Sequence, residues 1–359
     1  MKIDIDSFEE NFHSPKKKKE KQERKLLQSL DRSQFKKTDQ KSAVEETIAP
    51  HLIKGRVLSI SGENILVDAD HTQYICYLRG IFKKEKTLLK NPLAVGDFVM
   101  FCPETKHIEK IEERFSYLSR EDLLRRKEHI LAANIDQVLI TISVVQPPLK
   151  PSLVDRYILA TKKGNMSPVL VINKIDLLQD PHQSKEKELY EEFVHAFSKE
   201  NIPIISVSTV TNEGIEDLKK IMKDKASVFA GQSGVGKSSL INATLGLHLK
   251  TGEVIKKTSK GSHVTSKAQL FPLKDGGFCI DTPGIKSFGL WEFKKEDIQR
   301  YFTEVFHLSN PCKYPDCSHL NEPNCAVQKA IEEGKISPLR FASYHSLMNE
   351  LETDDFRKR

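Results

Sequence analysis

The segment Gly231-Gln232-Ser233-Gly234-Val235-Gly236-Lys237-Ser238 spaces glycines, a lysine and a hydroxyl as phosphate-binding loops do. Glycines let the backbone curl until successive amides point inward at phosphate oxygens. Lys237 would neutralise β- and γ-phosphates, and the Ser238 hydroxyl would ligate magnesium. The candidate phosphate site comprises Gly231, Gln232, Ser233, Gly234, Val235, Gly236, Lys237, Ser238 and Ser239. An apolar run, Val228 to Ala230, precedes it and a helix-like stretch through Leu245 follows, which is the context the motif requires. A plain glycine-rich turn is the competing explanation, and those flanks argue against it.

Asn173-Lys174-Ile175-Asp176 follows another apolar run, Val169 to Ile172. The Asp176 carboxylate can accept from both N1–H and the exocyclic amine of guanine, whereas adenine would leave it partly unpaired. Asn173 would support the base edge and Lys174 would lie along its face. Taken alone, this tetrapeptide is also an ordinary strand-to-helix turn. Asp281-Thr282-Pro283-Gly284 follows Phe278 to Ile280, where a phosphate-loop enzyme needs a magnesium carboxylate, Asp281, and a glycine amide, Gly284, at the γ-phosphate. Ile205-Ser206-Val207-Ser208-Thr209 supplies a weaker element, with the loop around Ser208 placed to meet the guanine O6. The base-reading elements precede the phosphate-reading ones, the reverse of the ordinary order, so Asp281 runs directly into the C-terminal segment.

Cys312-x4-Cys317-x-His319-x5-Cys325 offers three thiolates and one imidazole within fourteen residues. That donor set suits a closed tetrahedral structural zinc site, with iron as the other metal it could hold. Four buried or reactive side chains without metal are the alternative. Cys76, Cys102 and Cys279 are scattered through apolar runs and read as core residues.

These groups need elements to position them. From Gln137 apolar runs alternate with helical stretches, which implies parallel strands with crossover helices: Val138 to Val144, Val169 to Ile172, Ile204 to Val207, Val228 to Ala230, Ala268 to Phe271 and Phe278 to Ile280. Between His51 and Leu118, five short runs broken by turn residues predict a small barrel of the OB type: Gly55 to Ile60, Ile65 to Val67, Gln73 to Leu78, Asp97 to Phe101 and Ile108 to Ile111. Arg56, Arg79, Lys83 and Lys84 are placed to meet phosphates there, or are solvated surface charges. Beyond Trp291 the chain turns helical; Ser337-Pro338 opens a last helix whose Tyr344, Leu347 and Leu351 share one face.

The formal charge of +6 over 359 residues is gathered in patches such as Lys16 to Lys19, which favours acidic partners without naming one. Residues 1–49 are polar and charge-mixed and read as a disordered or loosely helical basic arm, able to touch RNA or simply solvated. No run of about eighteen apolar residues and no signal-peptide core occur, so a cytoplasmic location is expected.

From about His51 to Leu351 the sequence closely resembles the circularly permuted GTPases of the ribosome small-subunit-dependent GTPase A family, also called RsgA or YjeQ. The permuted motifs carry the resemblance, with Leu78-Arg79-Gly80, Val95-Gly96-Asp97, Ala133-Asn134-Ile135-Asp136 and the cysteine pattern. After the basic arm read from composition (1–49), it implies a multidomain α/β protein: an OB-fold barrel (50–118), a circularly permuted P-loop GTPase domain (119–290) and a C-terminal helical zinc-binding domain (291–359). It further implies GTP or GDP with Mg2+ and one structural Zn2+ as cofactors. The implied partners are the 30S ribosomal subunit and its 16S rRNA, with no membrane or DNA, for a monomer acting in late 30S maturation.

Where the family more often reads Gly-Lys-His-Thr-Thr-Thr, this chain has Gly261-Ser262-His263-Val264-Thr265-Ser266. Thr265 is the candidate switch threonine. Because Ile285, which follows Gly284, cannot orient a water, the resemblance makes His263 the candidate for that role, against the alternative of a surface histidine on a mobile loop. Slow intrinsic hydrolysis, accelerated by the ribosome, is the resulting expectation. The competing reading is an RNA-binding sensor of nucleotide state, guanine alarmones included, in which turnover is incidental. A P-loop kinase stands third, since it has no need of Asn173 to Asp176.

Overall fold

The computed structural model describes residues 51–79, 92–122, 127–246, 268–281, 294–309, 312–314, 317–320 and 322–358. The expected basic arm, Lys83, Lys84, His263, Thr265 and Gly284 lie outside the described residues.

Five strands follow His51: β1 (Ile53–Ser61), β2 (Asn64–Ala69), β3 (Thr72–Leu78), β4 (Phe98–Phe101) and β5 (His107–Ile111). They pair in the order β1-β2-β3-β5-β4, and the sheet closes because β1 also pairs with β4. β3 and β5 run parallel, as a barrel returning through a crossover requires. Alternate residues point inward, and Val57, Val67, Cys76, Val99, Phe101 and Ile108 fill the interior.

A hairpin that sequence patterning did not predict comes next, β6 (Tyr117–Asp122) with β7 (Lys127–Ala133). Its Arg-Glu-Asp and Arg-Arg-Lys-Glu stretches carry no alternating apolar signal. The expected boundary between residues 118 and 119 falls inside β6.

The next strands are β8 (Gln137–Ser143), β9 (Ser167–Asn173), β10 (Ile204–Val207), β11 (Ala226–Ala230), β12 (Gln269–Pro272) and β13 (Phe278–Asp281), in the order β10-β9-β8-β11-β13-β12. All neighbours are parallel except β12 and β13. The expectation of parallel strands throughout is corrected there: only residues 273–277 join the two strands, too few for a crossover, and Gly276 and Gly277 at φ 87° and 85° make the tight return. β8 is buried at every position because helices cover both faces. Val138 and Ile140 pack with Val154 and Tyr157 of α1 (Pro151–Lys163) and with Phe193 and Phe197 of α2 (Ser184–Ser198). Leu139 packs on the other face with Leu218 and Met222 of α3 (Ile215–Met222) and Leu240 of α4 (Lys237–Leu245).

Two short helices, α5 (Lys295–Tyr301) and α6 (Thr303–Ser309), precede the cysteine region, and α7 (Ala326–Glu332) and α8 (Pro338–Lys358) follow it. Tyr344 and Leu347 are buried and Leu351 packs beside them, on the face the spacing predicted. A single pairing, Ser59 with Gln269, joins the barrel to the GTPase-like strands, making one sheet of eleven strands. Among the described residues, no helix is long and apolar enough to cross a membrane.

Candidate nucleotide site and metal centre

The register of the parallel strands gathers the candidate residues. Val207, Asn173 and Ser143 are aligned neighbours at the carboxyl ends of β10, β9 and β8. Ala230 of β11 aligns with Ile140, and Ile280 of β13 aligns with Val228. Four loops separated by up to about a hundred residues therefore leave one sheet edge, the edge at which open α/β sheets bind ligands. The chain runs outward from β8 to β9 and β10 before crossing to β11, so the edge includes a topological switch point.

After β11 the backbone turns through Gly231, Gly234 and Gly236 at φ 143°, 86° and 95° before entering α4 at Lys237. Two of these glycines are required twice over. A Cβ on Gly231 would lie 2.1 Å from the Thr141 carbonyl, and one on Gly236 would lie 2.3 Å from Asn173 Nδ2. The loop thus delivers the N-terminus of α4, with Ser238 and Ser239 in its first turn, as a positive dipole end. Lys237 Nζ donates to the carbonyls of Gly231 (2.8 Å) and Gln232 (2.7 Å), which holds the ammonium over the loop.

Asn173 makes a contact that its place in the sequence motif did not predict. Asn173 Nδ2 donates to the Val235 carbonyl at 2.8 Å, tying the loop after β9 to the loop after β11. Its Oδ1 is buried and has no hydrogen-bond partner among the described residues, a polar atom of the kind a ligand satisfies. Lys174 adopts the left-handed conformation at φ 64°, and its Nζ bridges the carbonyls of Gln146 (2.7 Å) and Gly234 (2.8 Å). Its stem therefore forms a wall, and Gln146, which no sequence signal singled out, is one of its two anchors. Asp176 Oδ1 accepts from Ser208 Oγ at 2.6 Å. Ser208 is fully buried, and its hydroxyl in turn accepts from the amides of Val210 and Thr211 at 3.2 Å each. One carboxylate oxygen is thereby fixed, and most of the acceptor sites of Asp176 stay open for a base with adjacent donors. Gln232, Ser233 and Val235 lie in the same loop as the glycines, and Asp281 ends β13. The donor types and the unpartnered Asn173 Oδ1 fit a guanine nucleotide.

The cysteine region brings all four predicted ligands together: the Sγ atoms of Cys312, Cys317 and Cys325 and Nδ1 of His319 lie within 4.8 Å of one another. The sulfur–sulfur distances are 3.9 Å (Cys312 to Cys325) and 3.8 Å (Cys317 to Cys325), and His319 Nδ1 is 3.6 Å and 3.4 Å from Cys312 and Cys325. A tetrahedral zinc, with bonds of about 2.3 Å to sulfur and about 2.0 Å to nitrogen, has edges of roughly 3.8 and 3.5 Å, so the cage fits one ion. His319 is in the left-handed region at φ 65°, and the carbonyls around it are held by side chains. Gln328 Nε2 donates to the carbonyls of His319 and Leu320 at 3.1 and 2.8 Å, and Tyr344 OH donates to that of Ser318 at 2.9 Å. Burial pushes the Cys317 thiol up to about 12, so a bound cation is what would let it ionise.

Arg56 does not present a free charge for phosphate. Its guanidinium lies between the rings of Phe98 and Phe278, 5.0 and 4.8 Å from their centroids, and donates to the Asn134 carbonyl. Burial lowers its pKa, opposed by the nearby Asp136. Arg79 pairs with Glu109 at 2.8 Å and stays half exposed. The barrel motifs of the sequence are part of this junction. Asn134, at φ 54°, accepts from Phe115 N and donates to the Gly96 carbonyl, and Asp97 is buried against Arg114 at 2.6 and 2.7 Å.

Comparison with known proteins gives concordant matches. The RsgA GTPase family profile matches residues 111–291. A small ribosomal subunit biogenesis GTPase RsgA of Bacteroides fragilis is 35% identical over 311 residues, covering 85% of this chain and 99% of that protein. Its namesake from Yersinia pseudotuberculosis is 34% identical, covering 90% and 92%. Among solved structures, YjeQ from Thermotoga maritima superposes with a TM-score of 0.68 at 30% identity, covering 84% of this chain and 98% of that one. YloQ, described as a circularly permuted GTPase, gives 0.65 at 26% identity, covering 87% and 99%.

Proposed function

Because the chain belongs to the RsgA GTPase family, we propose that it hydrolyses GTP to GDP and phosphate on the small ribosomal subunit during that subunit's assembly, using 16S rRNA as its contact and acting as a monomer. What carries this reading is the convergence at one sheet edge of Asp176, held by Ser208, and the P-loop, tied to the base-reading loop through Asn173. Three segments expected separately from sequence meet at that edge, and in this reading they supply a guanine-reading end and a phosphate-reading end.

In this reading Asp176 accepts the two adjacent donors of guanine, and Lys174 flanks the base. The amides of Gly231 to Ser239 and the ammonium of Lys237 hold the phosphates and offset the charge that develops on the transferred group. Ser238 and Asp281 would hold magnesium, which supplies electrostatic stabilisation of the leaving diphosphate. Gly284 would meet the γ-phosphate, Thr265 would sense it, and His263 would orient the attacking water. Cys312, Cys317, His319 and Cys325 would hold a zinc ion with no open position, so that centre shapes the C-terminal region and takes no part in hydrolysis.

Turnover of GTP, with ATP as control, is measured with and without purified 30S subunits on the wild type and on His263→Ala. Stimulation confined to GTP and lost in the variant is the expected result. Wild-type turnover unmoved by saturating subunits, together with 30S affinity that depends on bound nucleotide, would replace this reading with the nucleotide sensor.

A further inference from the structure

Two transverse rows connect the barrel to β13, the strand that ends at Asp281. In the first, Ser59 of β1 pairs with Gln269 of β12, and Gln269 pairs with Asp281 of β13, so the backbone of Ser59 lies two strand spacings from that of Asp281. The second row lies three residues away on each strand. There Pro272 of β12 pairs with Phe278 of β13, while Arg56 of β1 pairs on its two edges with Asp68 of β2 and Phe98 of β4. With both edges of Arg56 taken by barrel strands, no backbone pairing carries this row from β1 to β13. The Arg56 side chain spans the gap instead, lying on the Phe278 ring at 4.8 Å while its other face contacts Phe98 of the barrel at 5.0 Å.

Arg56 is tied on a third side as well. It donates to the carbonyl of Asn134, and Asn134 donates to the carbonyl of Gly96 in the barrel at 3.2 Å. Two residues on, Asp136 Oδ2 accepts from the amide of Ala226, the first residue of β11, at 2.7 Å. β11 runs directly into Gly231. One guanidinium therefore touches the barrel, the strand leading to Asp281 and the segment that anchors the strand leading to the P-loop.

We propose that Arg56 is a positioning residue that couples the state of the barrel to the placement of Asp281, so that contacts made by the barrel on the ribosome alter GTP turnover. A shift of β1 is carried to β13 by Arg56 at one end and by the Ser59–Gln269–Asp281 row at the other. With both rows held, β13 moves with the barrel; with only one held, β13 pivots and Asp281 is no longer set by it. The kinetic form of the proposal rests on the ribosome-dependent hydrolysis proposed above, and its test has an arm that does not.

The experiment compares wild type, Arg56→Met, which keeps an apolar stem without the planar charge, and Arg56→Lys. kcat and KM for GTP are measured alone and at saturating 30S, with 30S affinity by co-sedimentation and the thermal midpoint. Arg56→Met is expected to lose about tenfold of the 30S-stimulated kcat, with basal kcat, KM and 30S affinity held within about twofold, and Arg56→Lys to recover part of the loss. Unchanged stimulation overturns the proposal. A basal kcat that falls in proportion, together with a lowered thermal midpoint, also overturns it, because Arg56 would then only hold the fold. In parallel, backbone hydrogen exchange of residues 56–61 is followed with GDP and with a non-hydrolysable GTP analogue, without ribosomes. Exchange that differs between nucleotides in wild type and not in Arg56→Met is expected. If wild type lacks 30S stimulation the function reading fails, and this exchange result alone then decides the coupling: no nucleotide dependence in wild type overturns it.

Discussion

Arg340 and Arg56 each lie between two aromatic rings where the GTPase elements meet a neighbour, yet their remaining partners differ. Arg340, on α8, is over Phe197 at 4.8 Å and Phe302 at 4.6 Å, and it faces three carboxylates: Asp155 of α1, Glu200 just after α2 at 3.7 Å and Glu304 of α6 at 2.8 Å. Arg56 has the same ring sandwich, but its polar contacts are one backbone carbonyl and a carboxylate acting at longer range. A buried guanidinium surrounded by carboxylates cannot shift without leaving charges unpaired, so the joint to the C-terminal helices is rigid. Arg56 strands no directly paired carboxylate when it moves together with the two strands it bridges, so this joint can shift as a unit. The same residue type thus makes an immobile joint beside the zinc knot and a transmitting joint beside the barrel.

The largest effect that would sharpen this contrast is on stability. Arg340→Ala strands the buried Asp155 carboxylate, removes the partner of half-buried Glu200 and Glu304, and is expected to cost about 3–5 kcal/mol by chemical denaturation. Arg56→Ala removes ring contacts and one charge-assisted hydrogen bond, for an expected loss of about 1–3 kcal/mol. Equal losses would remove the distinction between the joints.

The next effect is pH dependence, confined to the Arg340 joint. Burial, and then the neighbouring Glu200, push Glu304 up to about 8, whereas a carboxyl in the unfolded chain titrates near 4.5. The folded state holds this proton more tightly, so its stabilising contribution is complete below about 4.5 and is lost as pH rises through about 8. Unfolding free energy measured across that window should fall with pH in wild type, and the slope should flatten in Glu304→Gln. A variant that keeps the wild-type slope would assign the pH dependence to another group.

A smaller effect follows for Phe278→Leu, which keeps an apolar side chain and removes the ring face beneath Arg56. The expected loss is about 0.5–2 kcal/mol, and a double-mutant cycle with Arg56→Met should show that most of it is shared. The smallest belongs to the surface: breaking the Arg79–Glu109 pair, whose arginine is 53% exposed, should change stability by no more than about 1 kcal/mol.

Much of the architecture was legible in the residues. Each barrel strand had a short apolar run, and the central strands of the parallel sheet had mostly apolar ones, because a strand covered on both faces needs no polar alternation. The four zinc-type ligands were legible because wrapping one ion demands close sequence spacing. The β6–β7 hairpin was hidden, since its charged residues carry no period. The turn at Gly276 and Gly277 reversed β13 against β12 where alternation with helices suggested parallel strands. The sequence leaves Arg56 as a phosphate contact or a solvated charge, because a lone arginine in a barrel strand has the same sequence signature whether it faces solvent or two rings.

By itself the sequence determined which residues could bind what. Loop glycines, Lys237, Asp176 and the cysteine ligands act through chemistry that their types and local spacing specify. Only the tertiary structure decided how those residues are tied together: Asn173 to Val235 across 62 positions, Arg56 to Asn134 across 78 and Arg340 to Asp155, Glu200 and Glu304. The reason is physical. A motif that wraps a small ligand is local, because few residues fit around one ion or phosphate. A joint between elements depends on which surfaces meet, and that follows from sheet register and burial, which link residues that are distant along the chain.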